Sequence, residues 1–266
     1  MLWNLREASV CIESGRIDYA VFGVGTDPLV IIPGLSLRDV KGSGAGLALM
    51  YRLLARDYRV YVIDKNCDIA EGCTVPELAD DTAAAMNALG ISDACVLGVS
   101  LGGMIAAELA ISYPQLVKKL VLAVTASRVN ETMRSTVGRW IELAENGNYC
   151  GIVGDMLEVM YSRGYAKRYG WMFPLLARLA KPKNEKRFVR LARACLTCDF
   201  YDRLDGIKCD TLVLGGVDDK IVTANASVEL AQKLGCELHM YDGLGHSAYE
   251  EAPDFDKRVK CFFDFR

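Results

Sequence analysis

The sequence predicts an α/β protein, with a mostly parallel sheet of about eight strands, helices on both faces and a helical segment inserted in it. Three observations carry this. In the first half of the chain short apolar, β-branched runs alternate with stretches of helical spacing, the pattern of strand-helix-strand crossovers. The alternation stops at about Ser127 and resumes at Thr211. The 266 residues, 52% hydrophobic and 24% charged, can bury one large core, and they contain neither a polar low-complexity tract nor an internal repeat.

Taken in order, the runs Ala8 to Glu13 and Ile17 to Phe22 are separated by Ser14-Gly15 and read as an antiparallel hairpin. Leu29 to Ile32, Val60 to Ile63, Ala94 to Val99 and Leu120 to Val124 follow as strands. Helical spacing occupies Leu47 to Ala55, Val75 to Leu89 and Met104 to Ser112, and Pro114 ends the last of these. From Arg128 to Asp205 the chain is helix-like and rich in Arg, Lys and aromatics, with breaks at Gly151, Gly164, Pro174 and Pro182. Strands Thr211 to Gly215 and Glu237 to Tyr241 and a terminal helix from about Pro253 complete the sequence. An interruption bounded on both sides by sheet elements is expected to be a cap, residues 128–205, inserted into one core made of residues 1–127 and 206–266.

The formal net charge of -3 supplies no positive field to gather a phosphate backbone, so nucleic acid is excluded as a partner. No apolar run is long enough to span a bilayer, and the first residues carry acidic side chains without an apolar signal region. A cytoplasmic protein without a membrane partner is expected, its oligomeric state left open. Ten cysteines in that setting read as free thiols. Cys195 and Cys198 form a C-x-x-C pair, but no strand precedes it, no second pair exists, and His239 and His246 are the only histidines. Packing cysteines, with neither metal nor cofactor, are the expectation.

Gly98-Val99-Ser100-Leu101-Gly102 has the form of a nucleophile elbow, in which small residues permit a strained strand-to-helix turn that lifts the serine out of the backbone. A G-x-S-x-G arises by chance often enough that context must decide. Here a strand ends at Ser100 and a helix begins at Leu101, its N-terminus aimed where a tetrahedral oxyanion would form. Serine needs a base to take its proton. His239 falls inside an alternating strand and reads as a structural residue, whereas His246 lies in the glycine-flanked stretch Gly243-Leu244-Gly245-His246 just past it. The imidazole in turn needs a carboxylate, and Asp218 and Asp219, after the strand ending at Gly215, both qualify by chemistry.

The segment GVSLGGMIAAELA resembles the elbow and following helix of cofactor-free carboxylesterases, enol-lactone hydrolases and related members of the α/β-hydrolase superfamily. YDGLGHSAYEEAPDF resembles their histidine loop and last helix, and the likeness spans essentially the whole chain. The chain order Ser, Asp, His is theirs. The resemblance implies the α/β-hydrolase fold with a catalytic Ser100, Asp219 and His246. In that family the acid follows a Gly with two residues between, which falls on Gly216 and Asp219 and makes Asp218 a solvated neighbour. It also implies an oxyanion hole built from the backbone N–H groups of Leu35 and Leu101.

One departure is Ile31-Ile32-Pro33-Gly34-Leu35-Ser36, where the family pattern begins His-Gly and Pro33 stands in place of the histidine. A turn that merely ends a strand would read the same way. Serine at the elbow, rather than aspartate, argues against a dehalogenase or an epoxide hydrolase. The expected activity is hydrolysis of a small-molecule carboxylic ester, lactone or thioester through an acyl-enzyme. A C–C bond hydrolase, a peptidase or an acyltransferase would use the same triad, and a binding protein that keeps the fold without turnover is the non-enzymatic alternative.

Trp140, Tyr161 and Trp171 of the inserted segment are expected among the substrate contacts. Between Arg128 and Asp205 there are 14 Lys and Arg against 9 Asp and Glu, a net +5 that an anionic substrate could use or that could simply be solvated. Lys41 to Gly46 is glycine-rich but lacks a phosphate-binding pattern, and reads as a flexible loop near the site entrance.

Overall fold

The computed structural model describes residues 3–178, 181, 182 and 184–265. Its eight strands are β1 (Arg6–Ile12), β2 (Gly15–Phe22), β3 (Asp27–Ile32), β4 (Tyr58–Asn66), β5 (Ala94–Val99), β6 (Val117–Ala123), β7 (Asp210–Gly216) and β8 (Glu237–Tyr241). They form one sheet in the order β1-β2-β4-β3-β5-β6-β7-β8. β1 and β2 pair antiparallel across Ser14-Gly15, β2 runs antiparallel to β4, and from β4 to β8 every pairing is parallel. This is the α/β-hydrolase arrangement the sequence predicts.

The helices are α1 (Gly44–Met50), α2 (Val75–Ala88), α3 (Leu101–Ser112), α4 (Glu131–Glu145), α5 (Tyr149–Met160), α6 (Arg163–Tyr169), α7 (Phe173–Arg178), α8 (Glu185–Cys195), α9 (Ala224–Leu234), α10 (Ala248–Glu251) and α11 (Phe255–Asp264). Several begin at an identifiable cap. At α2 the Glu77 carboxylate turns back to the Thr74 N–H at 2.7 Å, with Pro76 in the first turn where a missing N–H is harmless. Asn130, Asn148 and Asn184 cap α4, α5 and α8 through their side-chain oxygens. The glycine-rich segment before α1 is not a free loop. The Glu7 carboxylate accepts the N–H groups of Gly42 at 2.9 Å and Gly44 at 2.7 Å, so the helix N-terminus has an anionic cap borrowed from β1.

Alternate residues of each parallel strand feed two cores. Leu29, Ile31, Leu97, Val99, Val121 and Leu214 pack with α1 and α11 on one face. Val30, Ile32, Val96, Leu120, Leu122 and Val213 pack with α2, α3, α9 and parts of the insert on the other. Helix α3 is buried from Leu101 to Ala110, apolar on nearly every side, as a helix enclosed between sheet and neighbouring helices must be. Helices α4 to α8 all fall between β6 and β7. Their amphipathic faces bring Met133, Val137, Trp140, Phe188 and Leu191 into the same core as α3.

Candidate active site

Ser100 sits at the junction of β5 and α3 with φ 53° and ψ -118°, a conformation that costs a non-glycine residue about 1 to 3 kcal/mol. Its surroundings enforce that shape. A Cβ on Gly98 would lie 2.5 Å from the Gly102 carbonyl oxygen, and one on Gly102 would lie 1.9 Å from that of Ile32, so both elbow glycines are required by close backbone approach. The Ser100 N–H donates to Ala123 at 2.9 Å, and the Thr125 hydroxyl donates to the Ser100 carbonyl at 2.8 Å.

His246, 3% exposed, follows β8 in the loop before α10. Its Nε2 is 2.9 Å from Ser100 Oγ and its Nδ1 is 2.8 Å from Asp219 Oδ2. Asp219 follows β7 and is buried, its other oxygen accepting the N–H groups of Ile221 at 2.8 Å and Val222 at 3.0 Å. Burial works to raise the Asp219 pKa, but the His246 imidazole and the two backbone donors outweigh it and hold the carboxyl below its ordinary value. A hydroxyl, an imidazole and an ionised carboxylate are therefore aligned at hydrogen-bonding distances, the arrangement that transfers a proton from an attacking hydroxyl and back to a leaving group. Asp218 is exposed, and His239 stays in β8 with its ring edge-on to Tyr241 at 4.6 Å.

The loop after β3 passes beside the nucleophile: a Cβ on Gly34 would lie 3.3 Å from Ser100 Cβ. The Leu35 and Leu101 N–H groups donate to no backbone or side-chain acceptor among the described residues.

Ser100 and His246 open on an enclosed space of about 30 Å³ lined by Met104, Met133, Val137, Trp140, Ile221 and Val222 among others. A wider cavity of about 350 Å³ shares Gly34, Leu35, Met156, Met160 and Tyr249 with it and reaches Tyr161 and Phe173. Trp140 thus lines the inner space, its indole N–H donating to Asp155 at 2.6 Å, and Tyr161 lines the outer one, its hydroxyl donating to Glu250 at 2.8 Å. Trp171 does not belong with them. It is 76% exposed on the turn between α6 and α7, which points it away from the insert's buried face. The methionines and the Ile221-Val222 pair escaped the sequence reading because nothing local distinguishes a pocket-lining apolar residue from a core one. Cys195 and Cys198 are buried free thiols, and the Cys198 thiol faces the Ala126 carbonyl.

The family model described as alpha/beta hydrolase fold matches residues 27–253, and the chain belongs to that family. It is similar to a 2-hydroxy-6-oxononadienedioate/2-hydroxy-6-oxononatrienedioate hydrolase of Burkholderia vietnamiensis, 27% identical over 94% of this chain and 93% of that protein. Among solved structures it resembles an alpha/beta hydrolase enzyme from a Medee basin deep-sea metagenome library, with a TM-score of 0.87 at 23% identity over 97% and 98% of the two chains. It also resembles the enol-lactonase of Burkholderia xenovorans LB400, with a TM-score of 0.84 at 20% identity over 97% and 100%. Family and relatives together make the protein a hydrolase. No helix among the described residues is long and apolar enough to cross a membrane.

Proposed function

We propose that the protein is a serine hydrolase that cleaves a small carboxylic ester, lactone or thioester through an acyl-enzyme, with Ser100 as nucleophile, His246 as general base and acid, and Asp219 as the group that orients it. The single observation that carries this reading is the unbroken run Ser100 Oγ, His246 Nε2, His246 Nδ1, Asp219 Oδ2 with spacings of 2.9 and 2.8 Å, in which the serine occupies a strained elbow. Ser100 Oγ attacks the acyl carbon as its proton passes to Nε2. The oxyanion that develops accepts hydrogen bonds from the Leu35 and Leu101 N–H groups. His246 then protonates the departing alcohol or thiol. In the second half a water gives its proton to His246 and attacks the acyl carbon, and His246 returns that proton to Ser100 Oγ as the acid is released. The ionised Asp219 fixes the imidazole tautomer and stabilises the imidazolium in both halves.

In this reading α4 to α8 act as a cap that closes over the site, and their side chains set specificity. The inner space of about 30 Å³ has room for about two water-sized groups, which fits a short apolar acyl chain, while the 350 Å³ cavity holds the rest of the molecule. A series of p-nitrophenyl esters from acetyl to dodecanoyl tests it. Repeated turnover is expected, with kcat/KM greatest for the shortest acyl groups and abolished by Ser100→Ala. Full activity in Ser100→Ala contradicts the mechanism, single binding without turnover contradicts an enzyme of this kind, and kcat/KM that rises steadily with chain length contradicts the assignment of the inner space.

A further inference from the structure

The family pattern leads one to expect a histidine side chain at the start of the loop that carries Leu35, and here the position is Pro33, which has neither a polar side chain nor an N–H to brace the loop. The brace comes from another strand. β4 continues past the apolar Ile63 through Asp64 and Lys65 to Asn66, and Lys65, only 5% exposed, directs its Nζ onto the carbonyl oxygens of Pro33 and of Gly34, the latter at 2.8 Å. The Gly34 carbonyl and the Leu35 N–H belong to one planar trans peptide and point in opposite directions. Drawing that carbonyl toward Lys65 fixes the Leu35 N–H facing away from it. Gly34 meanwhile stands beside the nucleophile, where a Cβ on it would lie 3.3 Å from Ser100 Cβ.

Resting on the serine-hydrolase reading above, we propose that Lys65 is a positioning residue for the oxyanion hole, its ammonium clamping the Pro33 and Gly34 carbonyls so that the Leu35 N–H is held toward the tetrahedral intermediate. The clamp is itself anchored by the insert. Arg187 of α8 donates from Nη2 to the Lys65 carbonyl at 2.8 Å and to Asp64 Oδ1 at 2.9 Å, and from Nε to the Asn66 carbonyl at 2.9 Å. The charged or titratable groups facing Lys65 are Asp64 on its own strand and Arg187 and Cys195 on α8, and Asp39 of the loop after β3 stands 3.3 Å from Arg187. Burial pushes the ammonium down to about 8; Asp64 opposes this, Arg187 adds to it and Cys195 weakly opposes it. Once the proton leaves, the amine still has two hydrogens to donate, but neutral hydrogen bonds are roughly half as strong as charge-assisted ones, so the clamp slackens.

The test is a set of pH profiles of kcat and KM for wild type, Lys65→Met and Lys65→Arg on a short p-nitrophenyl ester, with Ser100→Ala alongside. Wild-type kcat/KM is expected to decline above about pH 8. At pH 7 Lys65→Met should lower kcat by about 10- to 100-fold, less than loss of a whole oxyanion donor, with KM nearly unchanged and the alkaline decline gone. Lys65→Arg, charged throughout, should keep more of kcat than the Met variant and also lack the decline. Wild-type kcat in Lys65→Met, a higher KM at unchanged kcat, or an alkaline decline that persists in Lys65→Arg would each overturn the proposal. Should the Met variant not fold, wild type against Lys65→Arg decides the matter alone. Failure of the underlying reading shows separately, as turnover in Ser100→Ala.

Discussion

Both oxygens of Asp219 are committed, one to His246 and the other to the N–H groups of Ile221 and Val222, so the carboxylate cannot rotate away from the imidazole. Asp219→Asn keeps the shape but offers His246 an amide that cannot stabilise an imidazolium, and kcat should fall by roughly 10³- to 10⁴-fold. Asp218→Asn and His239→Ala, at an exposed position and in β8 respectively, should change it by less than about twofold. Steady-state rates on one chromogenic ester check all three, and a dead His239 or Asp218 variant contradicts the assignment. Much of this was legible in the sequence. His246 could be told from His239 because one lies among glycines and the other within an alternating strand. Asp219 could be told from Asp218 only by resemblance, since what separates them is that one is buried against Ile221 and Val222, a tertiary property. Lys65 gave no signal, because a lysine beside an apolar run normally marks the point where a strand leaves the core.

At the scale of elements the elbow, the loop after β3 and the tail of β4 form one unit, and Gly102 is where the first two touch. A Cβ there would meet the Ile32 and Pro33 carbonyl oxygens at 1.9 and 2.7 Å, and neither is a flexible side-chain end. Gly102→Ala should therefore cost about 1 to 3 kcal/mol of stability and most of the activity. Gly138, inside α4 with open space where a Cβ would go, makes the contrast: Gly138→Ala should stabilise by about 0.5 to 1 kcal/mol. Urea unfolding of the two variants reads both, and a stable, active Gly102→Ala would contradict the close approach that holds the elbow. Strands β5 and β8 begin and end where the apolar pattern does, whereas β4 runs three residues beyond Ile63. Those three residues are Asp64, Lys65 and Asn66, which read as a loop in isolation. They stay buried because Arg187, more than 120 positions later, supplies an ion pair and hydrogen bonds that no local window contains.

For the whole molecule, the sequence conveys the doubly covered sheet through its alternation, and an insertion through the break in that alternation, but not which faces of the insert look inward. Its net +5 illustrates the point. Arg128 pairs with Glu229, Arg203 with Glu108, and Arg187 with Asp64 and Asp39, all acids outside the segment, so much of that excess is met by the rest of the chain instead of awaiting an anion. What lines the site is apolar: Met133, Val137 and Trp140 from α4 together with Met156 and Met160 from α5. In the proposed reading, sheet, elbow and insert together leave Ser100 as the one activated serine hydroxyl among the described residues. Intact-mass measurement of the protein treated with a small fluorophosphonate tests this claim most directly. A single adduct per chain is expected, located by peptide mapping at Ser100 and absent from Ser100→Ala; an adduct on another residue, or none on protein that still turns over ester, would contradict a catalytic Ser100.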